Sequence, residues 1–535
     1  MVFVSVTLKE DYWETLEFRR EDIECLYNHL LEIETPLSPQ ELIKVLIQNR
    51  IEREQEAAKQ KRSAGGQPYL PKNEYNVGDK ITFPAQKWQV GKVINLRDAS
   101  SLSESPFQVI EVEFDKGVKR EYATGLDNHK LNIPEEKKID DPLLNLETII
   151  KTNGSHLSNK LVKTLKENDD FVYIAGRWFP QALIVDVNMG NLNLAEAVLD
   201  MAGGGPMGTS DITSQVELPG GVNENLAEFS LDLALQNDPR FDEVGPAGEV
   251  AWYLRRLEPP EVLETPIYLR YSEIEYDRSQ LTDQMIQMEK RLDDELSPLE
   301  DDVISPTTDY SVNLIFPHWR SGTLPLSPRL AQLFPTAHET PRVRFMLVDG
   351  ETGDKFPGWV VRFEKYVYGL SEWYEEKGIM PGGKVILQRG DNPGEVVVNS
   401  ESHRAAKEWV RTALIGADGG IVYATLKQTV MTTFDDWMMI AMPSDIIALE
   451  QAWMDRVNSP LPFEQVVVDT LRELAKLNPQ SHVHIAELYS AVNVIYRSPP
   501  GPIMSLLLSR PWFIHVGDLH FRYDDSGQEK ETVSE

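Results

Sequence analysis

The spacing of apolar residues changes several times along the chain, and each change marks a different kind of element. Leu42, Ile43, Leu46, Ile47 and Ile51 recur at helical spacing. Ser38, Pro39 and Glu41 precede them as N-cap, first-turn proline and capping-box acid. Lys59, Lys61 and Arg62 then lead into Gly65-Gly66, a helix-end composition. Residues 1–66 are therefore predicted to be a helical unit, either a small helix-turn-helix or an amphipathic helix packed on a neighbour. From 75 to 132 the period falls to two. Lys80–Phe83, Val90–Leu96, Val109–Phe114 and Val118–Tyr122 read as short strands, with a turn at Asp115-Lys116-Gly117.

A local signature then occurs three times, which predicts an internal repeat. Leu165 precedes Phe171-Val172-Tyr173-Ile174, Gly176 and Trp178-Phe179. Leu235 precedes Phe241-Asp242-Glu243-Val244, Gly245 and Trp252-Tyr253. Leu508 precedes Phe513-Ile514-His515-Val516, Gly517 and Phe521. Each describes an apolar helix end, a strand, a glycine turn and an aromatic strand. Before the third copy, Phe463–Leu477 and Ile485–Val492 read as helices, Pro499-Pro500-Gly501 as a break, and Ile503–Leu508 as a third helix. Two stretches have linker composition, the charged residues 134–141 and the acidic, Ser-Pro-containing 289–309.

Residues 311–400 read as mostly β. Val343–Val348 is followed by a turn at Asp349-Gly350 to Gly353, and Trp359–Phe363 with Tyr366–Tyr368 forms a hairpin. Ser371–Lys377 is helical, and Val385–Gln388 and Glu395–Val398 close the sheet.

Several of these patterns resemble known families. "VGDKITFPAQKWQVGKVINL…VIEVEFDKGVKREY" resembles SH3-like barrels of chromatin- and polymerase-associated proteins. The helix–hairpin copies, the third above all, resemble winged helices of transcription-associated proteins. Leu324-Pro325-Leu326 before Phe334-Pro335, Asp349-Gly350 with Trp359-Val360-Val361-Arg362-Phe363, Gly369-Leu370 with Trp373-Tyr374, and Gly382-Gly383-Lys384-Val385 resemble the B3 DNA-binding pseudobarrel. The last of these has glycine where that family has an acid. The B3 resemblance implies that two arms grip the major groove. They are Trp319-Arg320-Ser321-Gly322-Thr323 and Arg362-Phe363-Glu364-Lys365-Tyr366. Arg320, Ser321, Thr323, Arg362, Lys365 and Tyr366 are then the contact candidates, since such side chains suit phosphates and base edges. Both arms are short and Glu364 adds an acid, so a barrel used for protein contact stays open beside this. Arg404, Lys407 and Arg411, at i, i+3 and i+7, add a basic stripe, read as a helix that braces a DNA backbone or as a solvated helix face.

The predicted class is a multidomain α+β protein. Its expected parts are a helical unit (1–66), an SH3-like barrel (75–132), a winged-helix-like acidic region (143–275), an acidic linker (276–310), a B3-like pseudobarrel (311–400), a helix-strand connector (401–458), a winged helix (459–523) and an acidic tail (524–535).

Composition refines this picture. The 535 residues carry 85 acidic and 53 basic side chains, a net charge of −32, which argues against indiscriminate coating of nucleic acid. The charge is uneven. Residues 75–131 hold 8 basic and 8 acidic groups, 311–400 hold 10 and 10, and 460–523 hold 5 and 5, whereas 139–275 hold 9 and 23. Neutral modules could then touch DNA while the acidic middle repels it or binds a basic protein. A single cysteine excludes an internal disulfide and a cysteine-rich zinc site. No apolar run reaches membrane length, and Met1–Leu8 lacks a signal peptide's pattern, so a cytoplasmic protein without a membrane partner is expected. Gly203–Gly208 lacks the P-loop Lys-Ser/Thr, no HExxH or GxSxG occurs, and His482-Val483-His484 lacks a third ligand. No catalytic residue, metal or cofactor is therefore expected.

The functional expectation is a non-catalytic protein that binds DNA or associates with the transcription machinery, with DNA and RNA polymerase or another basic protein as partners. The alternatives are a protein–protein scaffold or DNA mimic using the acidic middle, and a DNA-recognition subunit of a defence system.

Overall fold

The computed structural model describes residues 11–63, 66–83, 86, 89–101, 104–114, 117–127, 129–132, 142–216, 218, 221, 223–299, 309–337, 340–392, 394–416, 419–442 and 446–524. The expected linker at 134–141, the turn residues Asp115 and Lys116, and the tail beyond Asp524 lie outside them. The fold is mixed α+β with several sheets, one a curled half-barrel. The chain divides into two compact units, Met1–Asp186 with Gly220–Ser230, and Val187–Pro219 with Leu231–Glu535. No helix among the described residues is long and apolar enough to cross a membrane.

In the first unit, α1 (Arg20–Ile33) and α2 (Pro39–Ser63) bury Leu26, Leu30, Leu42, Ile43, Leu46 and Ile47. The capping box forms as its sequence requires. The Ser38 amide donates to Glu41 Oε2 (2.8 Å), and the Glu41 amide donates to Ser38 Oγ (3.3 Å). Next comes a five-stranded sheet of β1 (Gln67–Pro68), β2 (Lys80–Phe83), β3 (Gln89–Ser101), β4 (Glu104–Phe114) and β5 (Lys119–Thr124), in that order. Only the β1–β2 pair is parallel. Tyr75, Ile81, Phe83, Val93, Ile110, Val112 and Phe114 form its core. The chain then returns through α3 (Leu146–Lys166) to the hairpin β6 (Phe171–Ile174) and β7 (Arg177–Pro180).

The second unit opens with α4 (Met189–Met201), β8 (Met207–Gly208) and α5 (Thr209–Thr213). After α6 (Glu224–Gln236), which crosses the unit boundary, come β9 (Phe241–Glu243) and β10 (Ala251–Leu254). Short α7 (Pro260–Leu263) and α8 (Asp283–Leu292) lead to the curled sheet. Its chain order is β11 (Tyr310–Asn313), α9 (Phe316–Ser321), β12 (Thr323–Pro325), α10 (Pro328–Ala331), β13 (Arg342–Asp349), β14 (Lys355–Val361), β15 (Tyr366–Tyr368), α11 (Ser371–Lys377), β16 (Lys384–Arg389) and β17 (Glu395–Ser400). In space the seven strands run β11-β16-β17-β13-β14-β15-β12, antiparallel except for β13–β17. The Asp349-Gly350 turn is tied to α11, because Trp373 Nε1 donates to Asp349 Oδ2 at 2.8 Å. A two-stranded ribbon follows, β18 (Ser402–Ile415) with β19 (Ile421–Thr432), joined by β20 (Ile440–Ala441). The chain closes with α12 (Ile447–Asn458), α13 (Phe463–Ala475), β21 (Val483–His484), α14 (Ile485–Val492), α15 (Pro500–Ser509), β22 (Phe513–Gly517) and β23 (His520–Tyr523).

One unit of order occurs three times: helix, short strand, helix, helix, antiparallel hairpin. In the second and third copies the first strand pairs with the last, giving the orders β8-β10-β9 and β21-β23-β22. In the first copy that strand is reduced to Leu37, bridged to Trp178 of β7 by two backbone hydrogen bonds of 3.2 and 2.8 Å. The five-stranded sheet is inserted between its second and third helices.

The acid-rich stretch expected as a hinge differs from that expectation over its described part. Asp293, Asp294 and Glu295 are buried. Asp294 accepts from Arg497 Nη1 and Nη2, both at 2.9 Å, and from the Tyr489 hydroxyl at 2.5 Å. Glu295 Oε1 accepts from Arg497 Nη2 at 2.6 Å, and its Oε2 lies 3.1 Å from His318 Nε2. Burial disfavours the Glu295 charge, but Arg497 and then His318 outweigh it and hold the carboxyl below its usual range. The stretch therefore locks α9 of the curled sheet to the third copy.

Candidate nucleic-acid interface

The first expected arm folds inward. Pro317 sits in the first turn of α9, and the helix ends at Gly322 with φ 63°. A Cβ there would meet Ser371 Oγ at 2.0 Å, so only glycine fits. This tight end turns Ser321 and Thr323 into the core, Thr323 at 0% exposure with Oγ1 2.9 Å from His318 Nδ1. Arg320 is engaged too, its Nε donating to Glu450 Oε1 at 2.6 Å. In this conformation Ser321 and Thr323 cannot reach a duplex, because core packing takes the hydroxyls that the B3 resemblance assigns to the groove.

The second arm is the turn between β14 and β15. Arg362 is half-buried and donates from Nη1 to the Thr340 carbonyl at 2.7 Å. Lys365 is exposed, adopts φ 57°, and its Nζ donates to the Glu295 carbonyl at 3.2 Å. Tyr366 is buried, its hydroxyl donating to the Glu261 carbonyl at 2.6 Å, which removes it as a surface contact. Burial raises its phenol well above the usual range. A cleft of about 320 Å³ between this turn and α10 has Phe334 and Val360 on its wall and Arg362 and Lys365 on its polar side. Phe363 stands 73% exposed at the tip.

Arg404, Lys407 and Arg411 lie on strand β18, not on a helix. Trp409, Val410, Thr412 and Ile415 favour extended backbone, and the helical spacing of the three cations is coincidental. Alternation puts Lys407, Trp409 and Arg411 on one face, opposite Thr429, Lys427 and Thr425. Arg411 reaches the third copy, its Nη1 lying 3.3 Å from Glu487 Oε1, while its Nη2 donates to the carbonyl of Asp436 between β19 and β20. Arg404 and Lys407 stay exposed. Between them and the tip, Trp409 is 68% exposed with Lys427 Nζ 5.7 Å from its ring centre. Trp409 and Lys427 do not stand out at helical spacing; the period-two pattern is the signal that brings them beside Lys407. An exposed indole flanked by cations offers a base or sugar a stacking platform.

His484 opens α14, its Nδ1 accepting from the Ala486 amide at 3.2 Å. Its ring stacks on Trp437 at 4.5 Å and lies 5.0 Å from His520. Burial first, then the neighbouring His520 and Arg291, lower it to about 4, so it is neutral at physiological pH. Among the described residues no three His, Cys, Asp or Glu side chains group so as to hold a metal. No family model, curated protein or solved structure matches this chain.

Proposed function

We propose that this chain is a non-catalytic multidomain protein that binds DNA or associates with the transcription machinery. One observation carries the reading: the helix–strand–helix–helix–hairpin unit recurs three times, with the first strand paired to the last. That strand order is the one a winged helix has. The seven-stranded curled sheet, with its single parallel pair, supports the B3-like reading of 311–400, and the sequential five-stranded sheet supports the SH3-like one. The Lys407–Trp409–Lys427 patch supplies an exposed surface of suitable chemistry. The three module types together favour DNA over a small-molecule ligand.

A protein-scaffold reading is favoured by one feature. The third helix of the second copy, α6, presents Glu224 and Glu228 and no cation, its third acid Asp232 being buried against Trp252, which suits a basic protein and repels phosphate.

The deciding experiment is fluorescence anisotropy of the full chain with labelled random duplex DNA at ~50 and ~200 mM salt. Four phosphate contacts predict about 100-fold weaker binding at the higher salt. The duplex is expected to stay intact. Absence of binding at ~50 mM salt would sink the DNA reading in favour of the scaffold.

A further inference from the structure

The three copies of the repeated unit differ most at their third helix. α15, in the third copy, has no charged side chain and buries Pro500 through Ser505 and Leu507. α6 is acidic. α3, in the first copy, is 21 residues long and carries Lys151, His156, Lys160, Lys163 and Lys166 against the single acid Glu147. In a chain of net charge −32, this is a helix of opposite sign.

The cations of α3 are not scattered. Thr148, Lys151, Thr152, Ser155, His156, Asn159, Lys163 and Lys166 are exposed. At 3.6 residues per turn they fall within about 140° of the circumference. Ile149, Leu157, Leu161 and Leu165 are buried. Lys160 marks one border of the exposed face, its Nζ donating to the Leu16 carbonyl at 2.6 Å. Lys151, Lys163 and Lys166 enter no ion pair among the described residues. The helix start is fixed, because Asn145 caps it by accepting from the Thr148 amide at 3.1 Å. Acids return only after its last turn, at Glu167, Asp169 and Asp170.

We infer that α3 is the element that enters the major groove of duplex DNA, and that α6 and α15 serve packing. This rests on the DNA-binding reading above and names the surface that performs it. From Thr152 to Lys166 the face spans ~21 Å, a length and width that the major groove accepts. Its composition divides by task. Lys151, Lys163 and Lys166 meet phosphates, while Thr152, Ser155, His156 and Asn159 offer donors and acceptors to base edges. Asn159, near the centre of the face, is the side chain placed to read an adenine in the bidentate manner.

The test uses the full chain and the anisotropy titration already described, with two combined variants. Variant one is K151Q/K163Q/K166Q; glutamine keeps helix propensity, and circular dichroism checks the fold. Variant two is K407Q/W409A/K427Q on the β18–β19 ribbon. The expected result is that variant one loses at least 10-fold in affinity at ~50 mM salt and its salt slope falls by about 2–3. N159A is expected to narrow the preference between duplexes differing at an A·T pair by ~5-fold or more. Wild-type-like affinity and slope in variant one, with loss in variant two, would overturn the assignment of α3 while leaving the DNA reading standing. No binding by the wild type would remove both. Tighter retention of an RNA hairpin than of duplex DNA would overturn the choice of ligand.

Discussion

Arg497→Met is expected to destabilise the second unit by about 3–5 kcal/mol, the usual cost of leaving buried carboxylates without their cation. Arg497 has 0% side-chain exposure, as does Asp294, and Glu295 has 4%. Burial disfavours the guanidinium charge, but the Asp294 and Glu295 carboxylates outweigh it. Methionine fills much of the same volume, so the loss reports the orphaned charges rather than a cavity. Arg497→Lys keeps the charge but cannot form the two-pronged bond to Asp294, and is expected to lose less. Adding Asp294→Asn and Glu295→Gln to Arg497→Met removes both orphaned charges, so the triple variant is expected to recover part of the loss. Urea unfolding followed by tryptophan fluorescence measures all three. A midpoint unchanged in Arg497→Met would show that the acidic stretch does not hold the curled sheet to the third copy.

The second large effect is on pH dependence. Glu258 is 5% exposed and neither of its carboxylate oxygens has a hydrogen-bond partner. Arg342 lies 3.8 Å from Glu258 Oε2 but is bonded more closely to Asp242. Burial, then the Asp242 charge, push Glu258 up to about 8, against the pull of Arg342. Glu243, nearby on β9, is raised to about 7, again chiefly by burial. For an acid with a raised folded pKa, the stabilisation is fully present below the unfolded value near 4.5. It is lost as pH rises through the folded value. The second unit should therefore lose stability between about pH 4.5 and 8. Glu258→Gln mimics the protonated form, so it should flatten this slope and exceed wild type at pH 8.5 by ~2–3 kcal/mol. Parallel curves for the two proteins from pH 5 to 8.5 would contradict the assignment.

Much of this fold is readable from local pattern. The helices at Ser371–Lys377 and Ile485–Val492 lie where the spacing places them, and the three glycine-centred segments are antiparallel hairpins. Three features are hidden for physical reasons. Asp293–Glu295 has the local composition of a hinge, and what buries it is an arginine about 200 residues further on, beyond any local window. The Arg404–Arg411 stripe satisfies helical spacing inside a run that continues into Val410, Thr412 and Ile415 and pairs with β19, which makes it a strand. The basic face of α3 is masked by averaging, since residues 139–275 as a whole are strongly acidic. Counting charge per helix rather than per region exposes it.

Photo-crosslinking tests the central claim most directly. The full chain is bound to a bromodeoxyuridine-substituted duplex at ~50 mM salt, irradiated and digested, and the adducts are mapped by mass spectrometry. The expected result is adducts concentrated in residues 148–166, with a second group around Trp409 and none in residues 500–509. Adducts confined to the third copy, or no adducts at a DNA concentration that saturates binding, would contradict the account.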